Sequence, residues 1–136
     1  MITLNDIRRF FEEQNWPYDD QDNFIVVKTS TMGEEQAQAL AIITCDELFN
    51  IECTIPNPIN VPFNDNIAHV LNSLNYRYNF FQFYVEEVEN KCRLNLKYCI
   101  PTEYLSDPKI AAEMLIRSLR IMDDFYAQIM QAKWAK

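Results

Sequence analysis

Glycine and histidine are nearly absent from this sequence of 136 residues, which has one of each. Ordinary glycine usage of about 7% would give about ten in a chain of this length. Dinucleotide fingerprints and P-loops need several glycines, because their backbone N–H groups must approach phosphates closely. The Gly-x-Ser-x-Gly nucleophile elbow needs two. The lone Gly33 therefore excludes nucleotide sites and hydrolase elbows of these kinds.

The single histidine, His69, excludes zinc sites of the His-Glu-x-x-His and Cys2His2 types, which need two histidines. Any Ser–His–Asp or Cys–His triad would have to use this residue. His69 lies one step off the apolar stripe of a predicted helix that includes Ile67 and Val70. That position is typical of the flank of a packed helix. We therefore predict no catalytic residues and a protein that is not an enzyme.

Metal-ligating patterns are also missing. Acidic residues occur in pairs such as Glu86-Glu87, but neighbours on a strand point to opposite faces and form no dyad. The acidic residues at positions 19, 20 and 22 lack the glycine and closing glutamate of an EF-hand loop. The cysteines contain no Cys-x-x-Cys pair. They are Cys45, Cys53, Cys92 and Cys99. We predict no metal site and no cofactor.

The sequence gives no sign of export or of a membrane span. Its first residues, Met-Ile-Thr-Leu-Asn-Asp, lack the apolar stretch of a signal peptide. The longest apolar run, residues 39–43, is far too short to cross a bilayer. Unpaired cysteines fit a reducing compartment. The sequence therefore predicts a cytoplasmic protein without membrane insertion.

Charge is unevenly distributed along the chain. The 20 acidic and 12 basic residues give a net charge of −8. Residues 1–65 have 12 acidic and 3 basic residues, a net of −9, whereas residues 66–136 have 8 and 9, a net of +1. Nucleic-acid affinity depends on cations that displace phosphate counterions. We therefore predict no nucleic-acid partner, and expect any basic partner to meet the N-terminal half.

Residues typical of helix ends predict three helices. Thr3 and Asp6 form a capping-box pattern before an apolar helical stripe, which residues 15–17 (Asn-Trp-Pro) end. The pair Asn64-Asp65 opens the second helix. The pair Asp107-Pro108 suits the N-cap and first turn of a long third helix.

Three strands are predicted between the first two helices. Residues 24–29 are rich in β-branched side chains, and residues 49–55 alternate between apolar and polar ones. Residues 37–45 fit a helix or a strand, and the strand is favoured because another strand follows at once. Residues 19–23 are interpreted as an acidic turn, and Gly33 is placed in the next turn.

A β-hairpin is predicted after the second helix, with a two-residue loop at Glu89-Asn90. The loop position fixes the register, because a slip of one residue would turn every apolar side chain to the wrong face. The predicted pairs are Val85 with Leu94, Phe83 with Leu96, Phe81 with Tyr98, and Glu86 with Arg93. Both apolar faces then coincide on one side of the sheet.

The predicted element order is α-β-β-β-α-β-β-α within a single domain spanning residues 1–136. Hairpins and alternating strands predict an α+β two-layer sandwich. Its mostly antiparallel five-stranded sheet carries the helices on one face.

The element order matches the type III secretion chaperone-like fold, and nearly the whole chain resembles the YbjN-like family, which has that fold. The resemblance lies in residues 71–83 (LNSLNYRYNFFQF), Val85-Glu86, Leu94-Asn95-Leu96, Ile100-Pro101 and Leu105-Ser106. It implies a small, acidic, non-enzymatic and commonly dimeric protein. Secretion chaperones hold an extended segment of a partner protein. Nothing in this sequence points to a secretion system, so only that mode of binding is carried over.

An aromatic cluster gives the candidate binding residues. Phe81 and Phe83 fall on the predicted core face, whereas the other aromatics are candidates for contact with a partner. These are Tyr76, Tyr78, Phe80 and Tyr84. RNA-recognition motifs also place aromatics on a sheet, but they need glycines that are missing here.

The sequence thus predicts a non-enzymatic protein-binding module, chaperone-like or regulatory, and a homodimer. It would hold a protein partner through its sheet or a helical groove. The alternative is a regulatory sensor that binds a small molecule between the sheet and the helices.

Overall fold

The structure, a computed structural model, describes residues 2–28 and 38–134, the last two without their side chains. Residue 29, Gly33 and residue 37, which belong to two predicted strands and the turn between them, lie outside this part of the chain. The described elements are α1 (Leu4–Glu13), β1 (Asp19–Asp20), β2 (Ile25–Lys28), β3 (Leu40–Cys45), β4 (Leu48–Thr54), α2 (Asp65–Arg77), β5 (Phe81–Val88), β6 (Lys91–Pro101), a 3₁₀ helix (Thr102–Tyr104) and α3 (Pro108–Trp134). The α+β class and the predicted order of the longer elements are confirmed.

The described sheet has six antiparallel strands in the order β1-β2-β3-β4-β6-β5, so the prediction of five was wrong. The additional strand is β1, where Asp19 and Asp20 pair with Val26 and Ile25. The sequence did not reveal it, because two acidic residues show neither apolar alternation nor β-propensity. This short edge strand depends instead on a contact from α1, since Arg8 Nε lies 2.8 Å from Asp20 Oδ1.

The predicted helix caps are present. Thr3 and Asp6 form the capping box of α1, and Asn64 Oδ1 accepts a hydrogen bond from the Ile67 N–H. Asp107 caps α3 by accepting a hydrogen bond from the Lys109 N–H. Each cap satisfies backbone groups that the first helical turn leaves unpaired.

The first helix ends before Pro17, at a left-handed residue. Asn15 has a φ of 57°, and the Trp16 N–H donates to the Phe11 carbonyl at 2.9 Å. This is a Schellman motif, in which a residue of positive φ lets the chain fold back on the last turn. The helix thus ends close to the predicted position, with Asn15 making the turn ahead of Pro17.

The predicted hairpin register is confirmed for all four residue pairs. Glu89 and Asn90 both have positive φ, at 50° and 64°. Positive φ at both loop residues is the feature of a type I′ turn, which matches the twist of the flanking strands. Register and turn geometry therefore agree.

All three helices pack on one face of the sheet. Helix α3 lies against β4 and β6 and contacts α1 and α2, while α2 also contacts β5. The core between the layers contains apolar residues from every long element. Its largest fully buried members include Phe11, Phe49, Phe125, Ile51, Leu74, Leu94 and Leu96. The opposite sheet face remains uncovered by the described helices.

Candidate protein-binding surfaces

The four predicted binding aromatics do not form one cluster. Tyr76 at the end of α2 is 89% exposed, and Phe80, just before β5, is 78% exposed. Tyr84 is partly exposed on the uncovered face of the sheet, whereas Tyr78 is half-buried against the core. We call Tyr76 and Phe80 the α2–β5 corner.

Tyr78 connects the α2–β5 corner to α3 and to the core. Its hydroxyl donates a 2.9 Å hydrogen bond to Asp124 Oδ2 on α3, and its ring centroid lies 5.7 Å from that of Phe83. Burial and the hydrogen bond to Asp124 raise the pKa of the Tyr78 hydroxyl, which keeps it a donor. Arg77 also reaches Asp124, at 3.8 Å. Tyr78 therefore supports the position of its exposed neighbours.

Phe80 lies in a turn that is unfavourable for its side chain. The turn is closed by the Phe81 N–H, which lies 3.4 Å from the Tyr78 carbonyl oxygen, and Phe80 occupies its third position with a φ of 73°. Glycine or asparagine usually occupies such a position, because a β-carbon there clashes with the backbone. Phe80 therefore combines an exposed apolar ring with a strained backbone.

Tyr84 borders a shallow groove of about 400 Å³ on the uncovered face. Leu40 and Ile42 supply apolar surface, and the Asn95 side chain donates to Glu86 Oε1 at 2.9 Å. Burial and the nearby charges of glutamates, including Glu86, raise the pKa of the Tyr84 hydroxyl. The groove is therefore lined by an apolar strip with polar and charged groups around it, and Arg93, 3.7 Å from Glu86, supplies a positive charge.

The free edge of the sheet at β5 carries a side-chain contact that the sequence did not indicate. Asn75 on α2 accepts from the Phe83 N–H at 2.7 Å and donates to the Phe83 carbonyl at 3.1 Å. The amide side chain thus pairs with one residue of the edge as a neighbouring strand would. No spacing rule identifies such a contact, because it depends on how α2 packs beside β5.

The single histidine does not belong to a metal-binding group among the described residues. His69 is exposed on α2. Within the described ranges, no group of three or more His, Cys, Asp or Glu side chains is arranged to hold a metal ion. In the same part of the chain, no helix has the length and apolar character to span a membrane.

The four cysteines are free thiols with unequal burial. Burial raises the pKa of Cys53 to about 12, and burial followed by the charge of Glu87 raises that of Cys92. Cys45 is half-buried, and its thiol, whose pKa burial also raises, lies 3.6 Å from the Ile2 carbonyl oxygen. Cys99 is half-buried.

The rates at which the four cysteines are alkylated in the folded protein should follow their exposure. At pH 8 we expect iodoacetamide to modify Cys99 first and Cys45 more slowly, because the thiolate is the reactive species. Cys53 and Cys92 should react only after denaturation. Peptide mass spectrometry of a time course measures the order. Early labelling of Cys53 would contradict the position of β4 in the core.

The element order, the sheet topology and the helices on one face together form a YbjN-like fold. The crystal structure of YbjN, a candidate transcription regulator from E. coli, is similar at a TM-score of 0.64 and 9% sequence identity. The match covers 91% of this chain and 88% of that chain. This likeness confirms the predicted fold, and at such low identity it concerns the fold alone.

The crystal structure of the ExsC–ExsE complex is also similar, at a TM-score of 0.44 and 14% identity over 98% of this chain and 92% of that chain. No protein-family model and no curated protein sequence matches this chain.

Proposed function

We propose that this protein is a non-enzymatic protein-binding module whose α2–β5 corner inserts its aromatic rings into a partner protein. The observation that supports this is Phe80, which is exposed although both its side chain and its backbone are unfavourable there. Glycine at this position would relieve the strain and remove exposed apolar surface. Phe80 lowers the stability of the fold through its exposed ring and through its backbone conformation, and a contact in a complex best explains its presence.

The neighbouring residues fit the same role. Tyr76 adds a second exposed aromatic ring, and aromatic residues dominate the binding energy of protein interfaces. Tyr78, hydrogen-bonded to Asp124, holds the corner in place, so little conformational entropy is lost on binding. Tyr84 lies on the uncovered sheet face and would serve as a secondary contact.

The proposal includes a homodimer, which the family resemblance implies, and a cytoplasmic location, which the four free cysteines favour. Light scattering after size-exclusion chromatography measures the mass of the assembly directly. A mass of one chain across micromolar concentrations would remove the dimer from the proposal and leave the corner unaffected.

The Phe80→Gly variant should become more stable and lose its partner. We expect its free energy of unfolding to rise by about 1 kcal/mol, because glycine adopts positive φ without strain. Capture of the partner, measured by quantitative mass spectrometry of proteins retained from the native cell extract, should fall at least about tenfold. Opposite changes in stability and binding cannot arise from misfolding.

Tyr104→Ala is the matched control for this experiment. Tyr104 is 71% exposed in the 3₁₀ helix, which Thr102 bonds to Asp46 and Glu47 in the turn between β3 and β4, so its loss should leave capture unchanged. Tyr76→Ala should lower capture as Phe80→Gly does. Equal capture by the wild type and the Phe80→Gly variant would overturn the proposal.

A further inference from the structure

The outer edge of β5 has backbone hydrogen-bonding groups that no described residue satisfies. Asn75 pairs with the N–H and C=O of Phe83, which shows that these groups point away from β6. Orientation repeats every second residue along a strand, so the same groups of Val85 and Glu87 also point outward. Among the described residues none bonds to them. Four backbone groups are therefore available in a row.

The available stretch is limited at both ends. Asn75 occupies the edge at Phe83, and the type I′ turn begins at Glu89. Only Val85 to Glu87 remains for pairing with another strand. A short free edge of this kind selects for a short extended segment and against a long one.

A second copy of this chain is a poor occupant of the edge. If two copies of the stretch paired antiparallel through Val85 and Glu87, the two-fold axis would pass through Glu86. The two Glu86 side chains would then lie directly opposite each other, where like charges are destabilising. Glu86 already has a cation, Arg93, at 3.7 Å, which compensates part of this repulsion. Glu87 adds a second carboxylate, and among the described residues no cation pairs with it. The charge of this edge therefore favours a basic occupant.

We infer that the Val85–Glu87 edge binds an extended peptide segment by strand addition, with Lys or Arg side chains opposite Glu86 and Glu87. Asn75 sets the register, because pairing must stop where its amide occupies Phe83. The inference rests on the proposed protein-binding function and specifies the chemistry of the partner. The α2–β5 corner, formed by Tyr76 and Phe80, comes just before β5 in the chain, so it lies beside the beginning of this edge strand.

The first experiment uses a synthetic probe and nitrogen-15-labelled full-length protein. The probe is the capped hexapeptide TVKKVT, added at millimolar concentration, and its acidic counterpart TVEEVT is the control. We expect the basic peptide to shift the amide resonances of Val85 and Glu87. Their hydrogen exchange should slow roughly tenfold when nine-tenths of the protein is bound, because exchange then occurs from the free tenth. Shifts confined to other residues, or equal binding of the acidic peptide, would overturn the inference.

Two variants of Glu87 separate the backbone contact from the charge. Glu87→Pro removes an N–H that points outward and breaks no bond within the sheet, as edge strands permit. Glu87→Gln keeps the N–H and removes the charge. We expect Gln to weaken peptide binding about two- to threefold and Pro to weaken it more than about tenfold. Equal weakening by both would overturn strand addition.

A probe variant covers the case in which Glu87→Pro fails to fold, as judged by circular dichroism. TVKKVT methylated at every amide nitrogen keeps its charges but cannot donate to a strand, and it should not bind the wild-type protein. Unchanged binding of this peptide would contradict the inference. If the wild-type protein does not bind TVKKVT but its capture of the partner depends on Phe80, only the edge inference is overturned. Peptide binding without Phe80-dependent capture overturns the corner alone.

Discussion

Phe125→Ala is expected to lower the free energy of unfolding by about 3–5 kcal/mol. Phe125 lies fully buried on α3, and its ring meets that of Phe83 edge-on, with centroids 5.1 Å apart. Truncation removes the burial of the ring and leaves a cavity that the rigid sheet can fill only in part. It also ends an edge-to-face contact that is favourable for aromatic quadrupoles. Urea denaturation, analysed at constant m-value, measures the loss.

The control for this prediction is Ile116→Ala on the same helix. Ile116 is 37% exposed, so its truncation should lower the free energy of unfolding by no more than about 1 kcal/mol. A loss below about 1.5 kcal/mol for Phe125→Ala would mean that α3 does not pack on the hairpin as described. The comparison keeps the helix constant and changes only burial.

Arg8→Ala is expected to lower the free energy of unfolding by about 1.5–3 kcal/mol and to release β1. The guanidinium group lies 2.8 Å from Asp20 Oδ1, and it also donates to Asn5 Oδ1 at 2.7 Å and to the carbonyls of Gln21 and Asp22. Its side chain is only 18% exposed. One planar group thus joins α1 to the turn between β1 and β2. Denaturation measures the stability, and hydrogen exchange at Gln21, whose N–H donates to the Phe24 carbonyl at 3.0 Å, reports on the pairing of β1 with β2.

Lysine at position 8 is not expected to restore the stability that arginine provides. Arg8→Lys supplies a point charge without the planar fork, so it should recover less than half of the loss. The matched control is Arg9→Ala, because the Arg9 side chain is 69% exposed and lies 3.8 Å from Asp6. That change should cost less than about 0.5 kcal/mol. Similar effects of both alanine variants would contradict the Arg8 contacts.

Local chemistry made several elements predictable from the sequence. Thr3, Asn64 and Asp107 cap helices because their side-chain oxygens reach amides within one turn. The hairpin register was predictable because side chains alternate with period two and the two loop residues accept positive φ. In each case the interacting residues are close in the chain, so one sequence contains the whole signal.

Other features depend on contacts between elements. The strand at Asp19–Asp20 exists beside an arginine of α1, and no alternation marks it. The edge of β5 is blocked at Phe83 because α2 places Asn75 beside it. Neither contact follows a periodic pattern, which is why the sequence predicted a turn in one place and gave no signal in the other.

The aromatic residues of α2 and β5 show both what the sequence determines and what depends on tertiary contacts. The composition alone excluded glycine-dependent nucleotide sites and histidine-dependent zinc sites, because those chemistries need residues that the chain lacks. The alternation of the hairpin determined that Phe83 faces the core and Tyr84 the opposite side. Only the tertiary structure decided that Tyr78 is held by Asp124 while Tyr76 and Phe80 are exposed. Exposure depends on how α2, β5 and α3 meet, and residues distant in the chain determine that packing.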